Sequence, residues 1–133
     1  MANEAVPIIA PTKFSQVTVA DGTAITKYTL LKLATDPNTA IASSGTGDVF
    51  AGILMHDKTI SDGSTTATAA LDGEWDLTFN AGAGGTLGAM LVLSGANLVR
   101  AAVAGELLTG AIVGKLLETA SASEVVRVRL GAI

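Results

Sequence analysis

The chain has 133 residues, a net charge of −4 and no cysteine, so we expect one domain without disulfides or thiolate metal sites. An acidic chain lacks the basic face that phosphate binding requires, which argues against nucleic acid as the main partner. Charged residues make up only 15% of the chain and hydrophobic ones 49%, so part of the surface is expected to lie buried against other chains.

The first fourteen residues differ from the rest because they are apolar and interrupted by prolines. Proline fixes its own backbone and pushes the preceding residue toward extended geometry, so the segment favours neither a helix nor a regular strand. Such a terminus is either a frayed end or an arm lying along a neighbour. We predict an arm over 1–14, outside the core, and a single β domain over 15–133. The predicted contact residues of the arm are Val6, Pro7, Ile8, Ile9, Pro11 and Phe14.

Short alternating segments between turn residues follow the arm and predict strands. In the first half these strands are expected at 15–19, 27–33, 39–42, 65–71 and 74–79. Trp75, Leu77 and Phe79 share one face of the last of these strands. The apolar segment 49–55 fits either a buried strand or one helical turn, since periodicity alone does not decide between them.

A glycine-rich loop over 80–88 leads into the second half, where strands are predicted at 90–93 and 98–102. The segment 106–110 fits a strand or a single helical turn. A hairpin made of 112–118 and 124–130 closes the chain. In its last strand Val126, Val128 and Leu130 share one face, and Arg127 and Arg129 share the other.

Apolar residues and glycines of the two halves match when the numbering is shifted by 62, which places Leu31 on Leu93 and Gly52 on Gly114. We interpret this as an internal two-fold repeat with halves at about 27–79 and 89–130. The repeat favours a strand for 49–55. Many short strands without a long helical stretch predict an all-β, compact barrel-like or sandwich domain.

No constellation of residues predicts catalysis, a metal or a cofactor. His56 is the one histidine, so a structural role at a loop edge is favoured over a ligand or a base. Glu74 and Asp76 share a strand face and could hold calcium or act as an acid/base pair, but a solvated face is the favoured interpretation. The glycines of 82–88 lack the lysine of a phosphate loop. We therefore expect a protein that is not an enzyme.

The segments 27–33, 50–54, 69–75 and 126–130, which read KYTLLKL, FAGIL, AALDGEW and VRVRL, resemble small phage capsid decoration proteins that stabilise the head. The resemblance implies a β-clip or β-tulip fold and a homotrimer seated on the outer capsid surface of the virion. It also implies that the arm reaches the major capsid protein. Glu74-Trp75 is bulkier than the small apolar residue expected there, which leaves Trp75 either in the core or at an interface.

Arg127 and Arg129 are expected to pair with carboxylates, either across strands or across a subunit boundary, so the candidate intersubunit residues are Trp75, Arg127 and Arg129. No apolar run is long enough to span a membrane, and no signal peptide is recognisable, so synthesis in a host cytoplasm is expected. The alternative function is a small ligand-binding module, for example for carbohydrate, which a cluster of exposed aromatic side chains would support.

Overall fold

The computed structural model describes residues 3–82, 84–108 and 111–131, which form eleven β-strands and one short 3-10 helix. The all-β prediction is confirmed. No helix among these residues is long and apolar enough to cross a membrane. The strands are β1 (Val6–Ile9), β2 (Phe14–Thr18), β3 (Leu30–Leu33), β4 (Ala40–Ala42), β5 (Phe50–Leu54), β6 (Thr66–Ala70), β7 (Glu74–Phe79), β8 (Met90–Gly95), β9 (Leu98–Ala101), β10 (Ile112–Leu116) and β11 (Val125–Leu130).

The second half of the chain forms a closed five-stranded barrel, in the order β7-β11-β10-β8-β9. The barrel closes because β9 pairs in parallel with the end of β7, where Thr78 lies opposite Leu98. The remaining pairs are antiparallel, including the predicted closing hairpin of β10 and β11. β1 is an additional strand that pairs with the beginning of β7.

The first half forms a five-stranded sheet with the same connectivity, in the order β2-β6-β5-β3-β4. Its outer strands meet at one parallel bridge between Thr18 and Thr39, as β7 and β9 meet in the barrel. The corresponding strands are β2 and β7, β3 and β8, β4 and β9, β5 and β10, and β6 and β11. We refer to β2–β6 as the first unit and to β7–β11 as the second unit.

The two units also agree in backbone detail. Leu31 lies opposite Gly52 in the first unit and Leu91 lies opposite Gly114 in the second, each beside a shift in register. Each unit therefore begins one strand earlier than the predicted halves, and β7 belongs to the second unit. The Asp72-Gly73 turn leads from one sheet into the other, whereas a turn of this type usually joins two paired strands.

The core is divided unequally between the units. A small cluster inside the first unit contains Val17, Leu31 and Leu54. A larger cluster fills the barrel, and Leu30 and Ile53, which point to the opposite face of the first sheet, belong to it. Because alternate residues of β3 and β5 serve the two clusters, the first unit packs its outer face against the second. The chain is thus one structural body with a shared core.

Polar contacts between the units accompany this packing. The buried Asn97, in the β8–β9 turn, accepts a hydrogen bond from the Leu30 N–H through Oδ1 at 2.8 Å. Arg100 Nε donates to Thr46 Oγ1 at 2.8 Å, and its guanidinium also pairs with Glu106. Glu106 lies in the 3-10 helix Ala104–Leu108, so this part of 106–110 is helical, while 109–110 lie outside the described residues. The other uncertain segment, 49–55, contains strand β5.

Candidate partner-binding surface

The N-terminal segment differs from the predicted arm because β1 is part of the domain's own sheet. Val6 lies opposite Asp76 and Ile9 opposite Glu74. The preceding Ala5 is buried in the core, and its N–H donates to the Tyr28 carbonyl at 3.0 Å. The predicted boundary between residues 14 and 15 also falls inside β2. The segment therefore contributes to the fold, contrary to the expectation that it lies outside the core.

Pro7 does not prevent this pairing because of its position on β1. The Gly73 carbonyl accepts from the Leu130 N–H, and the Phe79 N–H donates to the Glu124 carbonyl, so odd-numbered residues of β7 bond to β11. Hydrogen-bonding directions alternate along an antiparallel strand, so the backbone N–H and carbonyl groups of Glu74 and Asp76 are directed toward β1. Pro7 lies opposite Trp75, where β7 offers no bond, and its missing N–H is directed away from β7.

Although the backbone of β1 is paired, its apolar side chains remain exposed. Val6 is 52% exposed, Ile9 is 54% exposed and Ile8 is also in the exposed class. Phe14, at the start of β2, is 50% exposed. Pro7 and Pro11 are half-buried. An edge strand that presents large apolar side chains to water is unusual, and such exposed apolar surface commonly marks a contact with another molecule.

Asp72 fixes the connection between β1 and β2. Its carboxylate accepts hydrogen bonds from the Thr12 N–H and hydroxyl, both at 2.7 Å, and from the Lys13 N–H at 3.0 Å. The Lys13 N–H and the Thr12 hydroxyl favour the charged form and lower the pKa of Asp72. The carboxylate thus holds the N-terminal connection against the turn between the two units.

A cavity of about 460 Å³ lies beside this connection. Its lining includes Ile9, Lys13, Asp72, Glu74 and Arg129. The predicted arm residue Ile9 and the predicted intersubunit residue Arg129 thus line the same cavity. The lining carries both signs of charge, which suits contact with polar groups of a partner better than binding of a purely apolar ligand.

Of the two roles predicted for Trp75, in the core or at an interface, the structure shows the first, because this side chain is fully buried in the larger core. Its indole N–H donates to the Asp72 carbonyl at 3.0 Å. The ring packs edge-to-face on Tyr28, with centroids 5.5 Å apart. The alternation of β7 places Trp75 on the same inward face as Leu77 and Phe79, as predicted, and that face leaves no atom of the indole for a partner.

Arg127 and Arg129 form the cross-strand pairs that the sequence predicted as one alternative. Arg127 lies 3.4 Å from Asp76 and Arg129 lies 3.3 Å from Glu74, with both guanidinium groups partly exposed. A contact with another subunit remains a prediction. The corresponding face of the first unit is uncharged: Gln16 takes the position of Asp76 there, and its Nε2 donates to Thr68 Oγ1 at 2.9 Å.

His56 is exposed and lies in the loop after β5. Its Nε2 accepts from the Thr68 N–H at 3.3 Å, and its Nδ1 lies 3.3 Å from the Asp57 carbonyl oxygen. In the part of the chain that the structure describes, no three His, Cys, Asp or Glu side chains are grouped as metal ligands would be. The contacts of His56 therefore connect its loop to β6.

Sequence reasoning missed the ion cluster around Lys58. The side chain of Lys58 is 1% exposed, and its ammonium lies 2.8 Å from Asp62 and 3.2 Å from Asp21. It also donates to the Thr59 and Asp21 carbonyls. The four-residue spacing of Lys58 and Asp62 was the one feature of the sequence that could have indicated this cluster. The participation of Asp21 depends on the fold. The equivalent position in the second unit is Ala120, since the bridges Ile25–Lys58 and Gly85–Ala120 correspond.

The fold is shared with the head fiber gp8.5 N base of bacteriophage phi29. The two chains superpose with a TM-score of 0.52 at 13% sequence identity, and the match covers 89% of this chain and 92% of that chain. At this identity the likeness establishes a common fold. No protein-family model and no curated protein matches the chain.

Proposed function

We propose that this chain is a structural protein of a phage head that binds the outer capsid surface and stabilises the lattice of the major capsid protein. The observation that carries the proposal is the fold shared with a phage head fiber base over nearly the whole of both chains. The decoration-protein pattern in 27–33 and 126–130 supports the same role. Fold alone does not determine function, so the binding surface has to be argued from the residues.

The proposed capsid contacts are the side chains of Val6, Pro7, Ile8, Ile9, Pro11 and Phe14. The four large apolar members of this set are exposed, and Asp72 holds the segment that carries them in place. Binding through a preorganised surface loses less conformational entropy than ordering a free arm. Arg127 and Arg129 are the proposed contacts between subunits of a homotrimer, whose closed symmetry would allow weak contacts to add up.

The proposal assigns no reaction to the chain. A carbohydrate-binding module would be expected to present several aromatic side chains to solvent. Of the five aromatic residues, Phe14 belongs to the exposed class, while Trp75 and Phe79 are buried in the core. This distribution favours a structural role over the ligand-binding alternative.

Co-sedimentation of the purified protein with phage heads that lack it tests the proposal. We expect the unaltered chain to bind and the double variant Ile8→Ser/Ile9→Ser to bind at least roughly tenfold more weakly, because two exposed apolar contacts are removed. Val125→Ser is the matched control, since Val125 is also exposed but lies at the opposite end of β11 from Arg129.

Failure of the unaltered chain to bind the heads would contradict the capsid role. Equal binding of the double variant and the control would remove the N-terminal side chains from the interface. Cryo-electron microscopy of decorated heads tests the trimer, and density with two-fold symmetry or isolated copies would count against it.

A further inference from the structure

The outer edge of β2 offers backbone hydrogen-bonding groups that no described residue of the chain uses. The Lys13 carbonyl accepts from the Leu71 N–H, and the Val19 N–H donates to the Thr65 carbonyl, so odd-numbered residues of β2 bond to β6. By the alternation of an antiparallel pair, the backbone groups of Phe14 and Gln16 are directed away from β6.

Asn38 covers only one end of this edge. Its Nδ2 donates to the Gln16 carbonyl at 2.6 Å, and its carbonyl accepts from the Thr18 N–H at 2.8 Å. The N–H and carbonyl of Phe14 and the N–H of Gln16 have no partner among the described residues. The open part of the edge thus extends from the backbone of Phe14 to the N–H of Gln16.

The internal repeat shows what fits such an edge. In the register of the two strand pairs, Phe14 and Gln16 of the first unit correspond to Glu74 and Asp76 of the second. Glu74 and Asp76 are the residues that β1 covers as an antiparallel strand. One of two equivalent edges therefore carries a short, apolar, extended segment, and the other carries none within residues 3–82, 84–108 and 111–131.

The open edge also lacks the features that usually protect an edge strand. Proteins block such edges with proline or with charged side chains. The outer edge of β1 has Pro7, whose missing N–H is directed outward. β2 contains no proline and no charged residue, and Phe14 on it is half exposed.

We infer that the Phe14–Gln16 edge receives an extended segment of the capsid shell protein as an added strand, in the position that β1 takes on β7. This inference rests on the proposed function and names its partner. The incoming segment is uncharged, with an apolar side chain that packs on Phe14, because Gln16, Thr66 and Thr68, which share a sheet face with Phe14, carry no charge. Added strands bind through their main chain, and neighbouring side chains give specificity.

Two substitutions of one residue test the inference. Gln16→Pro removes the outward N–H and leaves the bonds to β6, whereas Gln16→Ala keeps that N–H and removes the same side chain. We expect Gln16→Pro to bind heads at least tenfold more weakly than Gln16→Ala, which binds like the unaltered chain. Equal binding by the two variants would overturn the inference while leaving the capsid role intact.

A second measurement does not depend on the variants folding. Hydrogen exchange of the Phe14 and Gln16 amides should slow at least tenfold when the unaltered chain binds heads, and unchanged exchange overturns the inference. Head-free self-association that Gln16→Pro abolishes would show a second copy in the slot, which also overturns it. If the unaltered chain does not bind heads at all, the proposed function itself fails.

Discussion

Lys58 is a buried charge in a chain that has few charged residues. Burial opposes its charge, but hydrogen bonds with Asp62 and Asp21 more than offset this and raise the pKa of Lys58. The same ammonium, together with the Ser64 N–H, lowers the pKa of Asp62 to about 2. The cluster connects the loop of Lys58 and Asp62 to Asp21, and the small Ala120 takes the position of Lys58 in the second unit.

The stability of the protein is predicted to fall in acid because of Asp62 and Asp72. Both carboxyl groups have pKa values below the ordinary value of 3.8 in the folded chain, so the unfolded chain binds more protons as the pH falls below about 4. Their stabilising effect is present above pH 3.8 and is lost toward pH 2. Melting temperatures measured between pH 6 and pH 2 should decline mainly in this window.

The matched variant for this prediction is Asp62→Asn, which cannot ionise. It should melt at a lower temperature than the unaltered chain at pH 6 and lose less on acidification to pH 2. An acid decline as steep as that of the unaltered chain would show that Asp62 is not one of the groups responsible.

At the scale of the strands, the fold was largely predictable from the sequence. The boundaries of β7 were predicted as they occur, because Trp75, Leu77 and Phe79 alternate with polar residues. β1 was missed because Pro7 removes a donor and its apolar residues do not alternate. Whether Pro7 disrupts pairing depends on which side of the strand its nitrogen faces, and that follows only from the partner strand.

The strand-level repeat was predictable in pattern but not in extent. Glycines at 52 and 114 align by sequence, whereas the destination of the chain after Asp72-Gly73 is decided by packing between sheets. Local turn chemistry describes how the chain reverses and does not specify which strand becomes the neighbour. The candidate surface was partly predictable. The apolar residues of the N-terminal segment were identified from the sequence, but the pairing of that segment with β7 was not.

Gly52 of β5 and Gly114 of β10 occupy equivalent positions, and we predict that both are required because the neighbouring backbone approaches them closely. A Cβ at Gly114 would lie 2.2 Å from the Arg129 carbonyl oxygen, and one at Gly52 would lie 2.9 Å from that of Ala70, with a φ of +131° at Gly52. Alanine at either position should lower the free energy of unfolding by about 2 kcal/mol or more, because the strands must separate. Urea unfolding of both variants measures the effect.

Gly22→Ala serves as the control for the glycine variants. No atom lies within 4 Å of a Cβ built at Gly22, so this substitution should change stability by less than about 0.5 kcal/mol. A neutral Gly114→Ala variant would contradict the close approach of β10 and β11.

At the scale of the whole molecule, the shared core predicts that the two units unfold together. Leu30 and Ile53 belong to the first unit, yet they are buried in the cluster that fills the barrel. Calorimetry should show a single transition whose calorimetric and van't Hoff enthalpies agree. Leu30→Ala should destabilise this transition by about 2–5 kcal/mol without splitting it.

Val17→Ala provides the comparison for this prediction, since Val17 lies in the smaller cluster of the first unit. It should also shift one transition for the whole chain. Two separate transitions in either variant would show that the two units unfold independently and that packing in the common core does not couple their unfolding.

The pairing of β1 with β7 also has a consequence for folding during translation, because β1 is made before its partner strand. Ile9 and Glu74 are partners although they lie 65 positions apart, so β1 is synthesised well before the strand with which it pairs. At roughly 5–20 residues per second, the ribosome needs about 3–13 seconds to extend the chain from Ile9 to Glu74. Val6, Ile8 and Ile9 have no partner strand during this time. During that interval the nascent chain presents an unpaired apolar segment, and Pro7 lowers its tendency to join a strand of a neighbouring nascent chain.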